Sequence, residues 1–183
     1  MLILASASPR RHELLLAAGI DHLVRPSSVP EVRRPGEAAL DFVRRMAEEK
    51  ARAIKCRWND IALGADTVVC LQDEIFGKPN NEEDARRMLR LLSGRQHRVH
   101  TGIYLFKGTS CLTDVSTTEV LFTELTDQEI RDYTRSGEPV GKAGAYAIQG
   151  LASKFVVSIS GSYQNVVGLP VSLVYRHLRT LSS

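Results

Sequence analysis

Several stretches of this chain carry residue types that can do chemistry. The first is Ser6-Ala7-Ser8-Pro9-Arg10-Arg11. Ser8 can cap a helix, and Pro9 suits the first helical position. Arg10 and Arg11 then fall in the first turn, where the helix dipole is already positive. Two cations there make sense if an anion docks, because helix N-termini and guanidinium forks both suit phosphate. Arginines in water, or paired with an acid such as Glu13, explain the residues equally well. The segment is not a Walker A loop, since it lacks the glycines and the Gly-Lys-Ser/Thr ending. The second stretch is Gly64-Ala65-Asp66-Thr67, an apolar run that ends in a carboxylate. An Asp at a strand's carboxyl end can face a ligand crevice and serve as general base or metal ligand. Taken alone, an Asp capping a turn is the stronger explanation.

Lysines are scarce, which draws attention to Lys50 and to Lys78 in Gly77-Lys78-Pro79. Lys78 sits on a stiff loop and could meet phosphate as a point charge. In isolation a solvated loop lysine is the stronger explanation of Lys78, and Lys50, on the long helix, is most simply a surface residue. The stretch from Gly137 to Gly150 holds four glycines, which allow close backbone approach to a ligand. Its Gln149 offers an amide that can both donate and accept on a base edge. A loop of that length inside a compact domain leans towards function. The last stretch, Gly161 to Pro170, is read as a turn and a helix start. His97 and His100 lie an odd number of residues apart on an expected strand, so they face opposite sides and form no site.

The elements that must position these residues are legible as period and punctuation. Strands are expected at Leu2 to Ala5, Leu23 to Arg25, Ile61 to Ala65, Thr67 to Leu71, Glu74 to Phe76, Arg98 to Phe106, Cys111 to Phe122 and Phe155 to Ile159. Helices are expected at Pro9 to Ala18, Glu37 to Ile54, Asn81 to Leu92, Thr126 to Arg135 and Pro170 to Leu181. Strands and helices interleave, which implies an α/β or α+β fold on a mixed sheet.

Composition narrows the function class. The chain has 183 residues, 43% hydrophobic and 25% charged, with a net charge of +3 from 24 Lys+Arg against 21 Asp+Glu. That is ordinary for a globular protein and too mild a charge for a concentrated nucleic-acid stripe. No apolar run is long enough to span a membrane, and no signal peptide is expected. Cys56, Cys70 and Cys111 show no metal-ligand spacing and are expected to be free thiols in a reducing cytosol.

Together these segments resemble the Maf family of nucleoside triphosphate pyrophosphatases. The resemblance runs nearly end to end: Ser6 to Arg11, Lys50-Ala51, Gly64 to Val69, Gly77-Lys78-Pro79, Ser93-Gly94 with His97 to Gly102, Gly137-Glu138-Pro139, Gly141 to Tyr146, Ile148-Gln149-Gly150, Gly161-Ser162-Tyr163 and Asn165 to Pro170. It implies one mixed α/β domain over 1–183, with a central mixed sheet flanked by helices and two lobes around a nucleotide cleft. It further implies a divalent metal, Mg²⁺ or Mn²⁺, a homodimer in the cytoplasm, and hydrolysis of a nucleoside triphosphate to monophosphate and pyrophosphate.

Residue by residue, the resemblance makes Asp66 the proton acceptor and a metal ligand. Arg10, Thr67 and Gln149 match the subgroup that hydrolyses dTTP and UTP, where a 7-methyl-GTP subgroup carries Trp in place of Arg10. Ser8, Arg11, Lys50 and Lys78 are implied to bind substrate, with Glu31 as a second metal carboxylate. Many relatives have two adjacent acids after the second strand; here that place reads Pro30-Glu31. The alternatives are a 7-methyl-GTP-type enzyme, or a non-catalytic nucleotide- or nucleic-acid-binding regulator of cell division.

Overall fold

The computed structural model describes residues 1–182. In chain order the elements are β1 (Leu2–Leu4), α1 (Pro9–Ala17), β2 (His22–Val24), α2 (Ala39–Arg52), β3 (Ile61–Leu71), β4 (Glu74–Phe76), α3 (Glu82–Leu92), β5 (Gln96–Lys107), β6 (Ser110–Phe122), α4 (Asp127–Arg135), β7 (Val156–Ser160), α5 (Tyr163–Val167) and α6 (Val171–Ser182). A short 3₁₀ turn at Ala143–Ala145 interrupts the glycine-rich stretch, and a second at Leu151–Phe155 follows it. The strands form one mixed sheet in the order β2-β1-β3-β5-β6-β7, with β4 added against β3. β1 pairs in parallel with β2 and with β3, while β3–β4 and β6–β7 are antiparallel. The mixed α/β expectation holds.

Two expectations are corrected. Ile61 to Ala65 and Thr67 to Leu71 are not two strands divided at Asp66; they are one strand, and Asp66 lies in its middle. A buried carboxylate does not break the strand, because neighbouring cations compensate its charge. The stretch from Gly161 to Pro170 is more than a turn, since it contains the short helix α5. The anchor there is Asn165, whose Nδ2 donates to Val99 O at 3.0 Å and to Thr118 Oγ1 at 3.0 Å.

Contacts group the residues into two compact units, with boundaries inside β3, β5 and β6. The first comprises residues 1–67, 101–116 and the chain from Gly168 onward. Its β1 alternates cleanly. Leu2 and Leu4 pack with Leu15, Ile61, Leu63, Ala65, Leu169 and Val174 on one face. Ile3 and Ala5 pack with Ile54 and Ala62 on the other. In β3, Ala62, Gly64 and Asp66 share a face by the two-residue period of a strand, opposite to Leu63, Ala65 and Thr67.

Helix α2 lies very close to the sheet. A Cβ at Gly64 would fall 2.0 Å from Ala47 O, and one at Gly102 would fall 2.4 Å from Val43 O. Only glycine permits this approach at both places. The second unit, residues 68–100 and 117–167, has an aromatic core. Phe122 packs edge-on against His97 and Tyr146 at 4.8 Å each, and Tyr133 against Phe155 at 5.4 Å.

Candidate active site

Three charged side chains in the first unit are buried: Arg11 at 8% exposure, Lys50 at 6% and Asp66 at 5%. Buried charge is costly unless it is paired or hydrogen-bonded; here Lys50 and Asp66 are paired and Arg11 is hydrogen-bonded. Lys50 Nζ donates to Asp66 Oδ1 at 2.5 Å and to Glu31 Oε1 at 2.7 Å. The α2 period explains how Lys50 arrives there. The buried face of that helix is Phe42, Val43, Met46, Ala47, Lys50 and Ala51, so Lys50 continues the apolar stripe. The view of Lys50 as a simple surface residue is therefore corrected.

Glu31 belongs to the loop before α2, and Arg45 ties that loop down. Arg45 contacts both Glu37 carboxylate oxygens, at 2.6 and 2.7 Å, and donates to Val32 O at 3.0 Å, one residue beyond Glu31. Burial pushes the Asp66 carboxyl above its ordinary value, and the Lys50 and Arg11 charges pull it back. The result is a carboxylate with strengthened basicity beside two cations.

Arg11 neither points into water nor pairs with Glu13. Its Nε donates to Gly168 O at 2.8 Å, Nη1 to Ser6 Oγ at 3.0 Å and Nη2 to Thr67 Oγ1 at 3.0 Å. Burial lowers its pKa, while Asp66 and Glu31 raise it. Thr67 Oγ1 also lies 2.9 Å from Thr101 Oγ1. Arg11 therefore links α1, β3 and the segment before α6.

Ser8 stands at the N-cap of α1 with Pro9 after it, but its side chain makes no capping bond. That expectation is corrected. Ser6 does the local work instead, with its Oγ accepting from Ser8 N at 3.2 Å as well as from Arg11. The first turn of α1 holds no acid, so the positive end of the helix dipole and Arg10 present positive character together.

Lys78 and Gln149 belong to the second unit. Their segments meet there, because Gly144 N donates to Gly77 O at 3.1 Å. Gly144 has φ +69°, and a Cβ would fall 2.8 Å from Val69 Cγ2, so this crossing requires glycine. Gln149 is exposed on the turn closed by Gly150 N to Ala147 O at 3.0 Å.

Sequence reasoning missed Ser6, Thr101, Gly168 and the Tyr133–Glu138 pair as parts of these networks. Asn165 had a visible signal, an amide set in an otherwise apolar Val-Val-Gly-Leu context. The Gly168 carbonyl had none.

The donor set also bears on a metal. Glu31 and Asp66 offer hard carboxylate oxygens, which suit Mg²⁺ or Mn²⁺. The Lys50 ammonium already spans them, so the geometry stabilises a cation between the two groups. Among the described residues no set of three His, Cys, Asp or Glu could hold an ion. Two carboxylates completed by substrate oxygens and water is an ordinary Mg²⁺ arrangement, and the residues fit it.

The chain is 48% identical over 179 residues to the dTTP/UTP pyrophosphatase of Koribacter versatilis (strain Ellin345), covering 97% of this chain and 93% of that protein. It is 50% identical over 175 residues to the dTTP/UTP pyrophosphatase of Anaeromyxobacter dehalogenans (strain 2CP-C), covering 93% and 89%. The solved structure of the Staphylococcus aureus Ham1 protein superposes with a TM-score of 0.53 at 11% identity, covering 98% of each chain, which speaks for the fold alone. The model of the Maf-like proteins matches residues 1–181. With that match spanning nearly the whole sequence, the chain belongs to the Maf-like protein family.

Proposed function

We propose that the protein is a nucleoside triphosphate pyrophosphatase that hydrolyses dTTP and UTP to the nucleoside monophosphate and pyrophosphate. The observation that carries this reading is the buried Asp66, bridged by Lys50 to Glu31 with Arg11 beside it. Such an arrangement can hold a water, take its proton and tolerate incoming negative charge. In the reaction, water attacks the α-phosphorus, Asp66 accepts the water proton, and the bond to the bridging oxygen breaks with pyrophosphate as leaving group. Positioning and charge neutralisation lower the barrier.

The remaining roles belong to the same proposal. Glu31 and Asp66 would hold a divalent cation, which neutralises phosphoryl charge when bound. Lys50, Arg10, Ser8 and the first turn of α1 would bind phosphate oxygens. Arg11 has three donors committed to the protein, so it would act chiefly by fixing Thr67 and raising local positive potential. Lys78 would contribute charge towards the triphosphate, and Gln149 an amide that reads a pyrimidine edge. A cytoplasmic homodimer is part of this reading as well. No helix among the described residues is long and apolar enough to cross a membrane.

A nucleotide panel with Mg²⁺ or Mn²⁺ tests the proposal, with pyrophosphate and orthophosphate scored separately. Pyrophosphate from dTTP and UTP, with little from purine nucleotides, is the expected outcome. Orthophosphate would place cleavage at the γ position and overturn the mechanism. A preference for 7-methyl-GTP would overturn the substrate assignment, and silence across the panel would overturn the enzymatic reading.

A further inference from the structure

The turn that carries Gln149 is held from both sides by two side chains that no part of the reaction uses. Glu138 Oε1 accepts from Tyr133 Oη at 2.8 Å and from Ala152 N at 3.3 Å, and its Oε2 accepts from Leu151 N at 2.9 Å. Tyr133 Oη in turn accepts from Ala147 N at 3.2 Å. The bonded amides thus lie two residues before Gln149 and two and three residues after it.

The packing leaves no slack. A Cβ on Gly150 would fall 2.1 Å from Glu138 Oε2, so the backbone next to Gln149 rests directly on the carboxylate. Tyr133 is buried, and its ring packs edge-on against Phe155. Burial, followed by the bond to Glu138, pushes the Tyr133 phenol well above its ordinary range. The phenol therefore remains a donor to Glu138 at any working pH. Gln149 itself is exposed. An exposed amide that must discriminate between bases needs a rigid backbone beneath it, because a mobile one spends its directionality.

We infer that Tyr133 and Glu138 are positioning residues for nucleotide specificity, holding the backbone on both sides of Gln149 so that its amide meets the base in one orientation. The inference rests on the proposed base-reading role of Gln149. It assigns neither residue any contact with substrate.

The test compares Glu138→Gln, Tyr133→Phe, Gln149→Ala and the Glu138→Gln/Gln149→Ala double variant. Each folded protein is assayed with dTTP and with dATP. Glu138→Gln keeps the volume but must set an NH₂ against one of the three donors it faces. Tyr133→Phe is the milder change, removing one hydroxyl with its two bonds. In both, the ratio of kcat/KM for dTTP to that for dATP should fall about tenfold, mostly through KM, as the loss of one directed hydrogen bond implies. In the Gln149→Ala background, Glu138→Gln should change that ratio no further, because the two act in series.

A ratio shifted by Gln149→Ala but unmoved by Glu138→Gln and Tyr133→Phe would overturn the positioning role and leave base reading standing. A full further effect of Glu138→Gln in the Gln149→Ala background would also overturn it, by showing an independent route. An unchanged ratio in Gln149→Ala alone would overturn base reading by Gln149, and the inference with it.

Discussion

Asp66 is the residue at which the burial of charge is most consequential. Its carboxyl is 5% exposed, burial raises its pKa, and Lys50 Nζ stands 2.5 Å away. Asp66→Asn keeps the shape and removes the proposed proton acceptor. Turnover should drop by about 10³-fold or more, within the range of a lost general base combined with lost electrostatic support. Folding should persist, because the buried carboxyl that burial disfavours is now neutral, although Lys50 keeps only Glu31 as an anion. Steady-state kinetics with a thermal melt on the same sample would check this. Near-normal turnover in a folded variant would remove Asp66 from the proton-transfer role. At this scale the sequence was only half legible. Asp66 and Lys50 could be singled out by type and by helical spacing. The partner that fixes Arg11 could not, because the Gly168 carbonyl lies 157 positions along the chain and leaves no local trace.

At the scale of elements, local signals served well wherever the stabilising group was itself local. Asn81 caps α3 by accepting from Asp84 N, and Thr126 with Glu129 forms a capping box on α4. Both are readable from side-chain type at fixed offsets. Asp66 was misplaced at a strand end because an acid in an apolar run reads as a boundary, and its compensating cations sit on other elements.

The loop before α2 is tied by Arg45, and that tie has a pH signature. Arg45 holds the Glu37 carboxyl down to about 2, from an ordinary value of 4.5. The folded state thus binds this proton more weakly than the unfolded chain does. The stabilisation is complete above 4.5 and is lost as pH falls from there towards 2. Glu37→Gln should lower Tm by about 3 °C at pH 7, the shift expected for roughly 1 kcal/mol. The deficit should fade in melts below pH 4, and the variant should also weaken metal-dependent turnover through the freed Glu31 loop. An equal deficit at pH 7 and pH 3 would exclude the ion pair as its source.

For the molecule as a whole, acid sensitivity should trace in part to His97. It is 1% exposed, bonded at 2.9 Å to Tyr146 Oη and enclosed by Phe122, and burial lowers its pKa to about 4 from 6.5. Below 6.5 the unfolded chain takes up this proton before the folded one. Stability is therefore full above that value and declines as pH falls towards 4, by roughly 3 kcal/mol at most. Melts of wild type and His97→Gln across that range should show a gap at pH 7 that narrows with acid; a constant gap would rule His97 out. The glycines at 64 and 102 have a consequence of another kind. A lysine stem has a fixed length, and with α2 seated on bare backbone the Lys50 ammonium meets its two carboxylates at 2.7 and 2.5 Å. The missing side chains act as a gauge block: the placement of the Lys50 charge is set by atoms that are absent, so drift at either glycine would be felt first as a mis-set charge and only later as a loosened fold.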